Sequence, residues 1–452
     1  MSLLEKAIMI NMYNKNAKKS IYRPPRNFNK IRLELFLVIS VIILVITPFV
    51  LNMSFNRENP ADHEHEQIYI YLSVRCEELF GKDITDSLLQ EFEEKNPGIK
   101  IKIADDFSES DILIFDEGSF SSLIASNALM ELYPFFNNET GNELMEVIFT
   151  GHHIPAGITG THQFAIPLVS FIDLLFYNID ILTAAGFDSP PKTRDEFMTY
   201  ARRISGMNTG ISAAAFSLNQ SDRQSLSRDI FSWIWASGSN FWSAGDRPFL
   251  NTRAVLNDFT FFGNLFREGL LAPGIIDTTG NQRLEEFAQG KIAMMVASAG
   301  AIPYLRNRMT DSSFGITTIP DSGSGGRYSA GISSISAAIS IDCANPDEAW
   351  DFIMFLSEKS SYLCDELKAI PGLVSSIIPG NYVRNDPFYS KAWEIFEYAQ
   401  IIEGFSGKPG ADDYENIFLE ELMIFFESGR TAQTTITAIQ RRWDEVQILS
   451  NR

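Results

Sequence analysis

Three cysteines in 452 residues, Cys76, Cys343 and Cys364, are too few and too odd in number for a disulfide scaffold, and no CxxC pair suggests zinc. They read as structural thiols. Basic residues are also short: 37 Lys and Arg face 57 Asp and Glu, a net charge of −20. A phosphate backbone would be repelled by that surface, so nucleic acid is excluded as a partner. No GxSxG elbow and no HExxH occurs, and the glycine-rich stretch from Ser322 to Arg327 lacks the GK[ST] ending of a phosphate loop. Fifty-seven acids leave a paired-carboxylate glycosidase formally open, yet no motif supports catalysis. The expectation is a non-enzyme that needs no cofactor and holds no metal.

Long apolar runs are almost absent too, and the single exception is informative. Leu35 to Leu51 is seventeen residues without a charge, the short end of what a spanning helix needs. Before it, residues 1–32 carry eight Lys and Arg and one acid, Glu5, which places the N-terminus in the cytoplasm. Without those bases, Glu5 and Glu34, the remainder carries 29 bases against 55 acids, about −26. No small-x-small cleavage site and no nearby cysteine comes after the run. The expected organisation is a basic leader (1–34), a transmembrane signal-anchor, favoured as uncleaved, or else a signal-peptide apolar region (35–52), and a polar linker (53–67). His63 and His65 lie in that linker and read as solvated.

The chain as a whole has ordinary globular composition, 45% hydrophobic and 21% charged. Its length suggests two or three lobes. Ile68, Ile70 and Leu72 alternate with Tyr69, Tyr71 and Ser73, which predicts a strand. Ile84, Leu88 and Phe92 recur at helical spacing up to a stop at Asn96-Pro97-Gly98. Ile99, Ile101 and Ile103 alternate again, and Ile112 to Phe115 is a short apolar run. Such alternation predicts an α/β fold with a mainly parallel sheet and a ligand beyond the strand carboxyl ends. Thr193 with Glu196 predicts a capping box, and Asn345-Pro346-Asp347-Glu348 a capped helix start.

Four segments in order carry a family resemblance. They are ITDSLLQEFEEKNPGIKIKI with SDILIFD (Ile84–Asp116), FAIPLVSFIDLLFYNIDILTAAGFDSPPKTRDEF (Phe164–Phe197), FAQGKIAMMVASAG (Phe287–Gly300) and SAGISSISAAISIDCANPDEAWDFIMFL (Ser329–Leu356). ESGRTAQTTITAIQRRWDEV closes the match near the C-terminus. Together they resemble the extracellular solute-binding proteins of the maltose-binding type, the ligand receptors of ABC importers. The resemblance implies a two-lobed, type II clamshell that closes on its ligand. It implies lobe crossings near Phe171–Leu174, near Tyr328–Ser333 and between Pro371 and Pro379. The N-terminal lobe would be 68–172 plus 333–375, and the C-terminal lobe 173–332 plus 376–452. One departure is the short link Ala104–Glu109, where the family has a longer segment, often a helix; the first lobe is trimmed.

The matched ligand positions differ from the maltose pattern. After the first strand stand Ser73 and Arg75. After SDILIF stand Gly118 and Ser119, preceded by Asp116 and Glu117. An acidic contact becomes Phe171, and a stacking Trp becomes Gly300. The second crossing brings Ser333, and a second stacking position falls near Asn416. Sugar sites need aromatic faces and planar polar groups, and FSWIWASGSNFW offers Trp233 and Trp235, with Trp242 and Tyr304 behind them. Arg75, if inward-facing, could clamp a carboxylate or phosphate. His152, His153 and His162 read as exposed loop residues.

The resemblance thus implies a monomeric receptor anchored to the outer face of the bacterial cytoplasmic membrane. It would capture a small ligand of the carbohydrate class and pass it to ABC permease subunits. The alternative is a transport-inactive relative that uses the same clamshell for sensing.

Overall fold

The structure, a computed structural model, describes residues 67–137, 158–159, 162–239, 241–243, 247–322, 328–372, 381–401, 405 and 410–450. The apolar run at 35–51, the linker histidines, His152 and His153 lie outside them. Among the described residues no helix is long and apolar enough to cross a membrane, and no cluster of His, Cys, Asp or Glu could hold a metal ion.

Strand β1 (Ile68–Leu72) is followed by helices α1 (Arg75–Phe80) and α2 (Lys82–Lys95), strands β2 (Ile99–Ile103) and β3 (Ile112–Asp116), and helix α3 (Glu117–Ala125). A thirteen-residue strand, β4 (Ile166–Asn178), leads to helix α4 (Arg194–Ser205), strand β5 (Ser212–Ala214) and helices α5 (Arg223–Ala236), α6 (Arg253–Arg267) and α7 (Gly280–Ala288). Strands β6 (Ile292–Ser298), β7 (Phe314–Thr317) and β8 (Ile332–Ile339) come next, then helix α8 (Pro346–Glu358) and the short strand β9 (Ile370–Pro371). Helices α9 (Pro387–Tyr398), α10 (Ala411–Ser428) and α11 (Ala432–Ser450) complete the set, with shorter elements between. The alternating and helical stretches read from the sequence between Ile68 and Phe115 all take the predicted form.

Strand β4 belongs to two sheets. Its first half pairs antiparallel with β8 on one side, from Ile166↔Ala337 to Ile172↔Ile332, and with β9 on the other. Its second half pairs with β6, from Asp173↔Ser298 to Tyr177↔Met294, and with β7. The change of partner falls between Ile172 and Asp173. One sheet extends outward as β2-β1-β3-β8, with β1, β2 and β3 parallel; the other ends at β5. This is a two-lobed α/β fold built about one shared strand.

Each sheet is covered on both faces, so its central strands read as continuous apolar runs. In β4, Leu175 enters a core with Phe197, Phe231, Phe418 and Trp443, whereas Leu174 and Phe176 enter another with Phe287, Phe314 and Phe396. The period of two sends alternate side chains to opposite faces. In the first lobe Ile70, Leu72 and Ile114 pack with Phe92, Trp350 and Phe352 from α2 and α8. Between β2 and β3 only a single 3-10 turn, Phe107–Glu109, intervenes. On the same lobe Tyr69 and Tyr71 of β1 keep 41% and 40% of their surface exposed.

Two helix starts differ from expectation. Thr193 accepts from the Glu196 N–H at 3.2 Å, but the Glu196 carboxylate accepts from Lys192 N at 2.7 Å, one residue too early to close a capping box. Asn345 makes no side-chain cap bond; Pro346 at the first helical position, with Asp347 and Glu348 against the helix dipole, starts α8.

Where β9 leaves the sheet, the chain passes over β4 at Gly372, whose N–H donates to Leu168 O at 3.2 Å. A Cβ there would run into the backbone of Pro167 and Leu168. Gly372→Ala should therefore lower stability by about 1–3 kcal/mol, the usual cost of overpacking a close approach. Urea unfolding of parent and variant reads this directly; equal midpoints would show that the backbone moves aside freely.

Candidate ligand-binding cleft

Asp173 is the only charge in β4, and it is buried at the change of partner. A buried carboxylate needs donors. Arg228 Nε gives one to Oδ1 at 3.1 Å and Ser232 Oγ another to Oδ2 at 2.8 Å. Both lie on α5 at a spacing of four, which puts them on one face of the helix. Burial raises the Asp173 pKa, and the Arg228 charge opposes that rise. The carboxylate thus ties α5 to the shared strand.

The residue after Arg228, Asp229, is also buried and accepts from Ser217 N at 2.5 Å. Burial pushes it up to about 8. At the head of α5, Asp222 accepts from Ser225 N at 3.2 Å and from Gly280 N at 2.8 Å. Any Cβ at Gly280 would strike the Ser225 side chain, so glycine lets α7 begin against α5. Around these groups lies a cavity of about 240 Å3. Its polar walls are Ser225, Arg228, Asp229, Asn281 and Ser298; Leu284, Met295 and Ala301 are among its apolar ones. It opens at the carboxyl end of β6, where an open α/β sheet binds its ligands.

The residues expected from sequence are dispersed. Arg75 is occupied: Nη2 pairs with Asp116 at 2.6 Å and Nη1 donates to Ser119 Oγ at 3.1 Å. These three form a closed cluster on the first lobe, so Arg75 is corrected from an anion clamp to an internal partner of Asp116. Ser73 is fully buried at the end of β1 and offers nothing to a ligand here. Trp233, 1% exposed, is a core residue packed against Phe197, Phe216 and Phe261, and its place as a ligand contact is corrected. Trp235 is half-buried, with its ring lying on Gly331, where a Cβ would come within 2.6 Å of Cζ3. Phe171 is half-buried against exposed Gly300, where a Cβ would stand 3.2 Å from its ring. Ser333 pairs with Phe171 across the sheet and is half-buried. Asn416 is exposed on α10. Glu117 opens α3, and its side chain lies outside the described residues. Of these positions, none with a described side chain lines the 240 Å3 cavity. Tyr304 donates to Glu285 and lies under Arg308. His162 is exposed beside Glu131, but it stands in a short strand, His162–Gln163, and not in a loop.

Residues 81–361, more than half of the chain, match the family model of bacterial extracellular solute-binding proteins. The chain belongs to that family. A binding protein of Brucella abortus (strain 2308) is 22% identical over 289 residues, 59% of this chain and 67% of that one. Among solved structures, an ABC substrate-binding protein from Listeria monocytogenes in complex with cycloalternan superposes with a TM-score of 0.68 at 14% identity, over 84% of this chain and 99% of that one. The GacH receptor of Streptomyces glaucescens, solved unliganded and with acarbose, gives 0.67 at 16% identity over 85% and 99%. Both likenesses are to the two-lobed fold.

In this solute-binding protein the groups sequence reasoning missed are Asp173, Arg228, Asp229 and Asn281. One signal was available. A lone Asp in thirteen otherwise uncharged residues needs a cation, and Arg228 with Ser232 offers the helical spacing that can supply a charge and a hydroxyl together.

Asp229 also makes a pH prediction. A carboxyl whose folded pKa of about 8 exceeds its ordinary 3.8 holds its proton more tightly when folded. Its contribution is full below the unfolded value and is lost as pH rises through the folded one. Without ligand, Asp229→Asn should thus lose less melting temperature than the parent between about pH 5 and 8. Parallel curves would mean that Asp229 is ionised in the native protein.

Proposed function

We propose that this solute-binding protein captures a small solute of the carbohydrate class outside the cytoplasmic membrane and delivers it to an ABC permease. The observation that carries the reading is the cavity at the end of β6, which is tied through Arg228 and Asp173 to the strand shared by both lobes. A ligand bound there bears on a strand that both lobes share, where bending would close them. The Listeria and Streptomyces relatives were solved with cycloalternan and acarbose, which supports the ligand class. The Listeria protein's description as an ABC substrate-binding protein supports the partner. The charge-free run 35–51 behind a basic leader supports a membrane anchor with the lobes outside. Binding and release need no chemistry, so the protein is read as a non-catalytic monomer.

A thermal-shift screen of the full-length chain in detergent tests this, with sugars, sugar acids, polyols and peptides as ligands. A solute that binds only the folded state should stabilise by about 2.7 kcal/mol at a hundred times its dissociation constant. Silence from a well-folded protein across all four classes would remove the receptor reading.

A further inference from the structure

We propose that the cavity between β6, α5 and α7 binds the acid group of a sugar-sized ligand, a carboxylate or a phosphate ester, on the free edge of the Arg228 guanidinium. The proposal rests on the receptor reading above and names the ligand class within it.

Arginine carries five N–H donors in a rigid plane. Arg228 engages Nε with Asp173, and among the described residues neither Nη has a protein partner. Its side chain is 18% exposed and lines the cavity. Other inward arginines differ. Arg75 gives both Nη to Asp116 and Ser119, Arg194 engages Asp258 and the Trp233 carbonyl, and Arg283 engages Phe216 O, Glu286 and Pro273 O. With Nε fixed on Asp173, the plane of Arg228 is set before a ligand arrives. That geometry suits the paired oxygens of a carboxylate or phosphate.

The rest of the wall is consistent with an anion. Among the described residues no aromatic ring lines it, so they offer no platform for a neutral sugar ring to stack on. At about 240 Å3 it is smaller than the roughly 300–1,000 Å3 of drug-sized sites, which favours a compact ligand. The nearby carboxyls are accounted for. Asp173 is paired with Arg228, Asp222 accepts from two backbone N–H groups, and Asp229, pushed up to about 8, stands mostly protonated at neutral pH. Asn281 and Ser225 add neutral polar groups to the wall.

The test compares glucuronate, glucose 6-phosphate, inorganic phosphate and glucose on the full-length chain, by thermal shift and calorimetric titration. At least one acid should bind about 10–100-fold more tightly than glucose, the worth of a hydrogen bond to a charged group. The preference between glucuronate and the phosphates separates carboxylate from phosphate ester. Arg228→Gln should abolish that selectivity. Because it also leaves Asp173 buried without its cation, Ala301→Asp is the second variant. It sets a carboxylate in the cavity wall without touching Asp173, and should abolish acid binding in a protein that melts like the parent. Glucose binding as tightly as the acids, or acid binding unchanged in Ala301→Asp, would overturn the anion assignment and leave the receptor reading standing. If the acids are silent while a neutral solute of the wider screen stabilises, the assignment again fails alone. Silence from every solute removes both.

Discussion

Asp173 occupies a position where a carboxylate is expensive, inside an apolar strand at the point where β4 exchanges one set of partners for another. A charge buried there and left unpaired would cost several kcal/mol, and losing one partner of a buried pair typically costs about 3–5 kcal/mol. Arg228 and Ser232 meet that need from a single helix. The consequence is mechanical as well as energetic. Helix α5 is fastened to the strand common to both lobes, so the head of α5, the start of α7 and the end of β6 are held around one cavity. Gly331, opposite Asp173, accommodates the Trp235 ring from the same helix, which adds a packing restraint to the ionic one.

Two arginines show how the fold decides which cation can serve a ligand. Arg75 follows β1 and Arg228 opens out of α5, and both face carboxylates. Asp116 and Ser119 stand at the end of β3 and the start of α3, close enough to take both terminal nitrogens of Arg75. Asp173 is set back in a strand and reaches only Nε of Arg228. One pairing closes its cluster on itself, and the other leaves donors over for something outside the protein. The difference lies in which nitrogen the acid engages, not in the number of charges present.

The elements of the first lobe were legible because they obey local rules. Alternation in IYIYL and IKIKI, the helical repeat of Ile84, Leu88 and Phe92, and the stop at Asn96-Pro97 need no distant information. Strand β4 is different. Buried on both faces, it has no alternation to read, and its change of partner is set by β6, β7 and β8, whose sequence comes more than a hundred residues later. Trp233 was misplaced for a related reason. Trp233 and Trp235 are neighbours in sequence, but two residues along a helix are about 200° apart around its axis. One therefore enters the aromatic core and the other lies on Gly331. Local density announced an aromatic cluster without saying which ring faces where. Ordered family motifs fared better, since they carry the long-range pairing that short patterns lack.

The same geometry explains why the sites expected from the maltose pattern do not reassemble. At 300 the expected stacking ring is absent, and the Phe171 ring from the shared strand stands 3.2 Å from where a Cβ would lie. At 331 the Trp235 ring from α5 would stand 2.6 Å from one. In both places edge atoms of an aromatic ring pack against a glycine. In the cavity at the end of β6, the described walls carry aliphatic side chains and one half-engaged arginine instead of aromatic platforms. On the acid-ligand proposal, recognition in this cavity rests on charge-assisted hydrogen bonding to Arg228 instead of on stacking.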